Sequence, residues 1–275
     1  MDIENEVARH YAGSELTRTM LEALRDAGKD VEALAPGDLS AVDEFHTGWA
    51  PLTVALAKTL DLGPTLRVLD VGSGIGGPAG YFAHAYGCDV TGIDLTPAFV
   101  ELATDLTART GLSDRVRFVV GSALALPFED ARFDLALLSH VGMNIADKAT
   151  VFAEVRRVLR PGGRFVVYDL MRIGDGPLPM PMPWADTEAT SFVETPARYR
   201  ALLEAAGLTV TREHDWTDLV LAVSADMRAR IEKEGMPVLG VHLLLGPSAR
   251  ERLGRVVGAI HDRLLAPTEI VAVAA

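Results

Sequence analysis

A doubly wound α/β fold, with a largely parallel sheet covered by helices on both faces, is the class this 275-residue sequence predicts. Three observations predict it. Short strands that are almost wholly apolar alternate with helix-length segments between about residues 66 and 170, and a strand without a polar side is one buried on both faces. A glycine-rich turn, GSGIGG, joins the first of those strands to a helix. Hydrophobic residues make up 49% of the chain and charged residues 23%, enough apolar material for one large core.

The elements follow in order. The chain to Leu34 reads as helical, with Leu16, Met20, Leu21 and Leu24 on one face, until Pro36-Gly37 breaks the pattern. A second helix is expected over Trp49–Leu60, stopped by Gly63-Pro64. Leu66–Val71 is the first strand, and the helix after the glycine turn runs to about Tyr86. Asp89–Asp94 is the second strand and Pro97–Thr110 the helix behind it. Strands are then expected at Val116–Val120, Phe133–Ser139 and Arg164–Leu170, with a helix over Lys148–Leu159 before the last. Residues 173–183 are proline-rich and aperiodic, which predicts a long loop. Pro196–Ala206 is helical and capped by Gly207, Leu208–Thr211 begins another strand, and two or three helices fill Leu219–Leu265. The chain closes on the apolar stretch EIVAVAA.

Charge and composition exclude several functions. The net charge is −12, from 38 acidic against 26 basic side chains, and no Lys/Arg cluster exceeds helix-surface spacing. Nucleic acid is therefore not an expected partner, because phosphate binding needs a basic face. One cysteine, Cys88, rules out a disulfide framework or a cysteine-based zinc site within the chain, and its place at a strand start suits a buried thiol. MDIENEVARHY is acidic and lacks the apolar stretch of a signal peptide, and no apolar run approaches the length of a membrane span. A cytoplasmic protein is expected.

The segment Val68–Gly77, VLDVGSGIGG, carries the most chemistry. A strand entering a glycine turn and a helix presents backbone N–H groups to a ligand at the carboxyl edge of the sheet, and Gly72 and Gly74 allow an approach that a Cβ would block. Asp94 ends the next strand about 20 residues on, where a carboxylate can accept both ribose hydroxyls. GSGIGG also satisfies the dinucleotide pattern G-x-G-x-x-G, so a nicotinamide oxidoreductase is the alternative reading. Asp70, two residues before the first glycine, separates the two: a carboxylate there attracts an ammonium and repels a pyrophosphate.

These residues carry a family likeness. VLDVGSGIGGPAGYFA and VTGIDLT resemble the first two motifs of class I S-adenosylmethionine-dependent methyltransferases. GSALALPFED is similar to their adenine-binding stretch, FDLALLSH to the strand entering the active site, and RRVLRPGGRFVVYDL to the block that follows. The likeness is strong over roughly residues 45–170 and looser elsewhere. It implies a Rossmann-like sheet in the order 3-2-1-4-5-7-6, EIVAVAA being the antiparallel seventh strand. It also implies an N-terminal helical lid over 1–62 and a methyltransferase domain over 63–275, whose insertions at about 172–195 and 217–266 cover the acceptor site. For the cofactor, S-adenosyl-L-methionine, it assigns Asp70, Gly72, Ser73 and Gly74 to the methionine end and Asp94 with Leu95 to the ribose. Ser122, Ala123 and Leu124 would meet the adenine, Ser122 standing where many relatives carry an acid. His140 and Val141 would lie beneath the sulfonium.

The acceptor side is less determined. Methyl transfer is an in-line displacement that needs positioning and exclusion of water, with a base only where the nucleophile must lose a proton. His140 in SHVGMN is the expected base, because loops at the carboxyl ends of strands carry such sites. Tyr11, His46, Asn144 and Trp184 are the expected acceptor contacts, and Met180, Met182 and Trp184 give the proline-rich loop an adaptable apolar face. HVGMNIADK gives the chain a likeness to the sarcosine/dimethylglycine N-methyltransferases, which implies an amine among possible N, O or C acceptors. A binding protein that keeps the pocket without methylating is a further alternative. No metal is expected, and the apolar terminal helices make a homodimer an expectation.

Overall fold

The computed structural model describes residues 16–275. Its seven strands are β1 (Arg67–Val71), β2 (Asp89–Asp94), β3 (Val116–Val120), β4 (Phe133–Ser139), β5 (Leu159–Arg172), β6 (Leu208–Asp215) and β7 (Leu265–Ala274). They form one sheet in the order β3-β2-β1-β4-β5-β7-β6. All pairs are parallel except those of β7, which runs antiparallel to both β5 and β6. This is the doubly wound sheet, with its strand order and its reversed seventh strand, that the sequence predicts.

Alternate residues of the central strands supply two separate cores, which is why those strands carry no polar face. On one face Leu69, Val71, Ala136, Leu138, Phe165 and Val167 meet α5 (Lys148–Val158) and α6 (Pro196–Ala205) through Phe152, Val155, Tyr199 and Leu203. On the other, Val68, Leu135, Leu137 and Val166 meet α2 (Trp49–Ala57) and α3 (Gly77–Tyr86) through Leu56, Phe82 and Ala83. Burying each large side chain contributes about 1.5–3 kcal/mol. Cys88 lies in this second core, its Sγ 3.4 Å from the Gly63 carbonyl.

Two outer layers bear on the site. α1 (Leu16–Asp26) and the turns to Val42 pack through Met20, Leu24 and Leu34 against Ile75 and α4 (Pro97–Arg109). A second layer combines the proline-rich loop, through Met182 and Trp184, with α7 (Thr217–Glu234) and α9 (Ala249–His261), through Val220, Val256 and Ile260. The four-residue α8 (His242–Leu245) lies between those two helices.

Several boundaries differ from the sequence reading. α1 ends at Asp26, ten residues before Pro36: Gly28 takes φ +77, and Lys29 N–H reaches back to the Leu24 carbonyl (3.0 Å). A glycine in the left-handed region stops a helix as firmly as a proline. α2 closes at Ala57 rather than Leu60. β5 runs on past Leu170 and β6 past Thr211 because β7 pairs with Arg164–Arg172 on one side and Leu208–Asp215 on the other, and β5 begins early, at Leu159, which pairs with Phe133 of β4. Arg212, Glu213 and His214 are polar yet in the ladder, since β6 is the sheet edge and exposes one face.

Candidate functional site

A cavity of about 360 Å³ opens at the carboxyl edge of β1, β2 and β4, a size typical of ligand clefts. Its floor is the glycine turn. Gly72 (φ +74) and Gly74 (φ +54) take left-handed conformations that favour glycine. A Cβ at Gly72 would stand 2.3 Å from Val141 Cγ2, whereas one at Gly74 would meet nothing within 4 Å and would project into open space. The turn thus leaves a space that only missing side chains keep open. Gly72 and Ser73 N–H groups both reach the Ile93 carbonyl (2.7 and 3.1 Å), which ties the turn to the end of β2. Asp94 accepts from Gly74 N–H at 2.9 Å and Thr96 N–H at 2.8 Å. Burial pushes its carboxyl upward, and those two bonds oppose the push.

A strap, residues 43–48, lies over the start of α3: a Cβ on Gly77 would stand 2.3 Å from the Asp43 carbonyl. It brings Asp43 and Glu44 towards Asp70 and Asp94. Asp70 is 3% exposed. Desolvation first, then the charges of Asp94 and Glu44, raise its pKa to about 7, against a smaller pull from His46. Asp43 is raised well above the usual range by burial and Glu44. Asp43 Oδ1, Asp70 Oδ2 and Ser73 Oγ are buried without a hydrogen-bond partner. Unpaired buried carboxylate oxygens are costly unless a ligand supplies donors. An amino-acid tail with an ammonium supplies them; a pyrophosphate would add negative charge to a site that already holds four carboxyl groups, those of Asp43, Glu44, Asp70 and Asp94.

The strap also places two histidines. His46, 8% exposed, directs Nδ1 to the Thr47 carbonyl (3.1 Å) and Nε2 to Glu44 Oε2 (2.8 Å) and Thr53 Oγ1 (2.9 Å), while the Thr53 hydroxyl donates to Glu44 (2.7 Å). These contacts tie the ring to Glu44, Thr53 and the strap's own backbone, and so fix how the strap sits. His140, just beyond β4, has φ +56, a conformation rare outside glycine and concentrated at functional sites. Its N–H is held by the Tyr168 carbonyl of β5 (2.8 Å). Its Nε2 lies 2.9 Å from Thr47 Oγ1, which is 3.0 Å from Tyr168 Oη, and the Tyr168 hydroxyl donates to the Thr47 carbonyl (2.8 Å). One proton arrangement uses every donor once: His140 Nε2–H to Thr47, Thr47 to Tyr168, Tyr168 to the carbonyl. It leaves His140 Nδ1 as a free acceptor. Burial and the nearby His46 hold His140 well below the usual histidine range, so the ring is neutral.

Behind this loop Gly142 packs where a Cβ would lie 2.3 Å from both Asp169 Oδ2 and Tyr199 Oη. Buried Asp169 accepts from Tyr199 Oη (2.7 Å) and Leu170 N–H (3.1 Å). Its pKa is raised to about 6 by burial, against the pull of Tyr199 and Lys148. Lys148 donates to the Ile145 and Phe192 carbonyls (2.8 and 2.5 Å). These bonds fix the segment that carries His140 and Asn144.

Of the residues singled out in the sequence, Asp70, Gly72, Ser73, Gly74, Asp94, Leu95, Ala123, Leu124, His140, Val141, His46, Asn144 and Trp184 all line the cavity. Ser122 does not; its hydroxyl accepts from Leu124 N–H (3.0 Å), shaping the turn whose backbone lines the wall. Tyr11 lies outside the described residues. Thr47, Tyr168, Asp43 and the Asp169–Tyr199 pair were not anticipated. Thr47 and Tyr168 are 121 positions apart, and only the strap joins them; the one signal for it was the run of polar residues in DEFHT. Among the described residues no group of three or more His, Cys, Asp or Glu could hold a metal, and no helix is long and apolar enough to cross a membrane.

Residues 69–167 match the family model of a methyltransferase domain. The chain is 34% identical to Methyltransferase GfsG of Streptomyces halstedii over 183 residues, 62% of this chain and 63% of that protein. It is 29% identical to the sarcosine/dimethylglycine N-methyltransferase of Halorhodospira halochloris, over 77% and 75% of the two. Its fold matches geranyl diphosphate C-methyltransferase from Streptomyces coelicolor A3(2) with a TM-score of 0.72 at 18% identity, covering 100% of this chain and 98% of that one. The chain spans just under two thirds of the length of the first of these relatives. Nothing in these likenesses supports the oxidoreductase alternative.

Proposed function

We propose that this chain is a class I methyltransferase that uses S-adenosyl-L-methionine to methylate a small-molecule acceptor, a reading supported by the methyltransferase-domain match over residues 69–167 and by the fold. The observation that carries this reading is the trio of buried, unpartnered polar atoms, on Asp43, Asp70 and Ser73, around a glycine turn with open space over Gly74. Asp70, Asp43 and Ser73 hold the amino-acid tail, Gly72 and Gly74 give the backbone its close approach, and Asp94 holds the ribose. Gly121, Ala123 and Leu124 flank the base.

When bound, the cofactor supplies an electrophilic methyl carbon on a sulfonium. The protein positions the acceptor and excludes water. The wall of Met143, Trp184 and Val256 provides that exclusion, in keeping with residues 172–195 and 217–266 as the acceptor cover. His140 is the catalytic base: its Nδ1 takes the acceptor proton while Thr47 and Tyr168 hold the opposite nitrogen. A depressed pKa leaves the ring unprotonated at neutral pH, so no hydrogen ion blocks it.

Isothermal titration with S-adenosylhomocysteine and with NAD tests the premise. Micromolar affinity for the first and none for the second is expected; affinity for NAD alone overturns the reading. Cytoplasmic residence and a homodimer through the apolar helices belong to the same proposal. Cell fractionation and light scattering of the purified protein check them.

A further inference from the structure

The acceptor end of the cavity has a definite chemistry. Beyond His140 the wall is Phe45, Trp49, Met143, Trp184, Leu253 and Val256, and among the described residues no lysine or arginine lines the cavity. The cations close by are engaged elsewhere. Arg252 binds the Met182 carbonyl (2.6 Å), Ser248 Oγ (3.0 Å) and Asp186, and Lys148 binds two backbone carbonyls. The carboxylates gather at the glycine turn, except for Asp147, which caps α5 through Thr150. An acceptor carrying a carboxylate or phosphate therefore finds no free cation among the described residues at this end, and an ammonium finds only Asp147, whose carboxylate is already held by the Thr150 N–H and hydroxyl (3.0 and 2.6 Å); burying an unpaired charge costs several kcal/mol.

Two polar features interrupt the apolar wall. Asn144 Oδ1 is buried and has no partner, so it calls for a hydrogen-bond donor. His140 Nδ1 is a free acceptor opposite a nitrogen bound to Thr47. The segment just before Val241, which lines the cavity, is apolar and exposed at Met236 and Val238 (50% and 49%).

Resting on the methyltransferase reading, we propose that the acceptor is an uncharged, largely apolar molecule whose nucleophile is a single hydroxyl, of the phenol or alcohol class. The hydroxyl donates to His140 Nδ1 or Asn144 Oδ1. An oxygen lone pair forms the new O–CH₃ bond as the carbon–sulfur bond breaks with its electron pair going to sulfur. The hydroxyl proton passes to His140 Nδ1 and then to solvent, so charge and atoms balance without a further reactant.

Three probes on one scaffold test this: 2-naphthol, 2-naphthoate and 2-(aminomethyl)naphthalene, titrated by calorimetry into protein saturated with S-adenosylhomocysteine. 2-Naphthol is expected to bind at least about tenfold more tightly than either charged probe. Leu253→Lys, at a half-buried wall position, should reverse the preference towards 2-naphthoate, while Leu253→Gln should weaken all three without reversing it. Equal or tighter binding of a charged probe to the unmodified protein overturns the inference, as does a failure of all three to bind. Saturation with S-adenosylhomocysteine is scored first: its absence defeats the methyltransferase reading, whereas its presence with the wrong probe order defeats only the acceptor class.

Discussion

Asp70→Asn should stabilise the ligand-free protein and weaken its hold on the cofactor, two effects of opposite sign from one carboxylate. Asp70 is 3% exposed, its Oδ2 has no partner, and its pKa stands at about 7 against an ordinary 3.8. The folded state therefore keeps a proton that the unfolded state releases, so stability falls as pH rises from about 4 to 7 and is flat above that. Three pKa units at 1.36 kcal/mol each set the penalty above pH 7 at about 4 kcal/mol at most. Asparagine keeps the shape without the charge. At about 2–4 °C per kcal/mol for a chain of this size, Tm at pH 8 should rise by up to roughly 8–16 °C. The gain should fade as pH drops and vanish near pH 4. With an ammonium in the site the order reverses: losing a charged hydrogen bond costs about 1.5–3 kcal/mol, or roughly 10–100-fold in affinity. Calorimetric Tm from pH 4 to 8 and titration with S-adenosylhomocysteine read both. A lowered Tm at pH 8, or unchanged affinity, refutes the account of Asp70 as a destabilised carboxylate kept for a cationic tail.

Three further outcomes are expected. Gly72→Ala places a Cβ 2.3 Å from Val141 in a left-handed turn, so affinity for S-adenosylhomocysteine should be lost and stability should drop by about 1–3 kcal/mol in urea unfolding; preserved affinity refutes the close-approach role. His140→Gln should lower kcat by roughly 10²–10⁴-fold with cofactor affinity within a few-fold, and because His140 lies well below the usual histidine range, the unmodified enzyme's rate should show no inflection from it between pH 6.5 and 8. Tyr168→Phe removes one of the two groups that meet the buried Thr47 carbonyl, His46 Nδ1 being the other, together with the partner of Thr47 Oγ1, and should cost about 0.5–1.5 kcal/mol of stability, with a loss in kcat larger than any change in cofactor affinity; an unchanged kcat would remove Tyr168 from the positioning of His140.

The sheet was legible from the sequence because its cause is local and repeated. A strand buried on both faces has nowhere to put polar side chains, so Phe133–Ser139 stands out with its boundaries intact. The glycine turn was equally legible, since left-handed φ values at Gly72 and Gly74 restrict the residue types allowed there. Asp70 and Asp94 followed from their spacing along two adjacent strands. Edge and terminal elements were read less well. Polar β6 owes its length to pairing with β7, and α1 stops at a single glycine that the apolar stripe did not reveal.

What the sequence determined by itself was the order of elements, the ligand-binding edge of the sheet and the sulfonium cofactor it suggests. These depend on periodicity and on residues close together in the chain. Tertiary structure alone decided how His140 is held, which carboxylates crowd the glycine turn and what the acceptor wall is made of. Thr47 reaches Tyr168 across 121 positions, and Trp184 meets Val256 from a different element. Such contacts arise from how layers close over the sheet, and no spacing within one segment encodes them. The same closure sets the charge around each group, which is why the altered protonation of Asp70 and His140 became visible only in the folded chain.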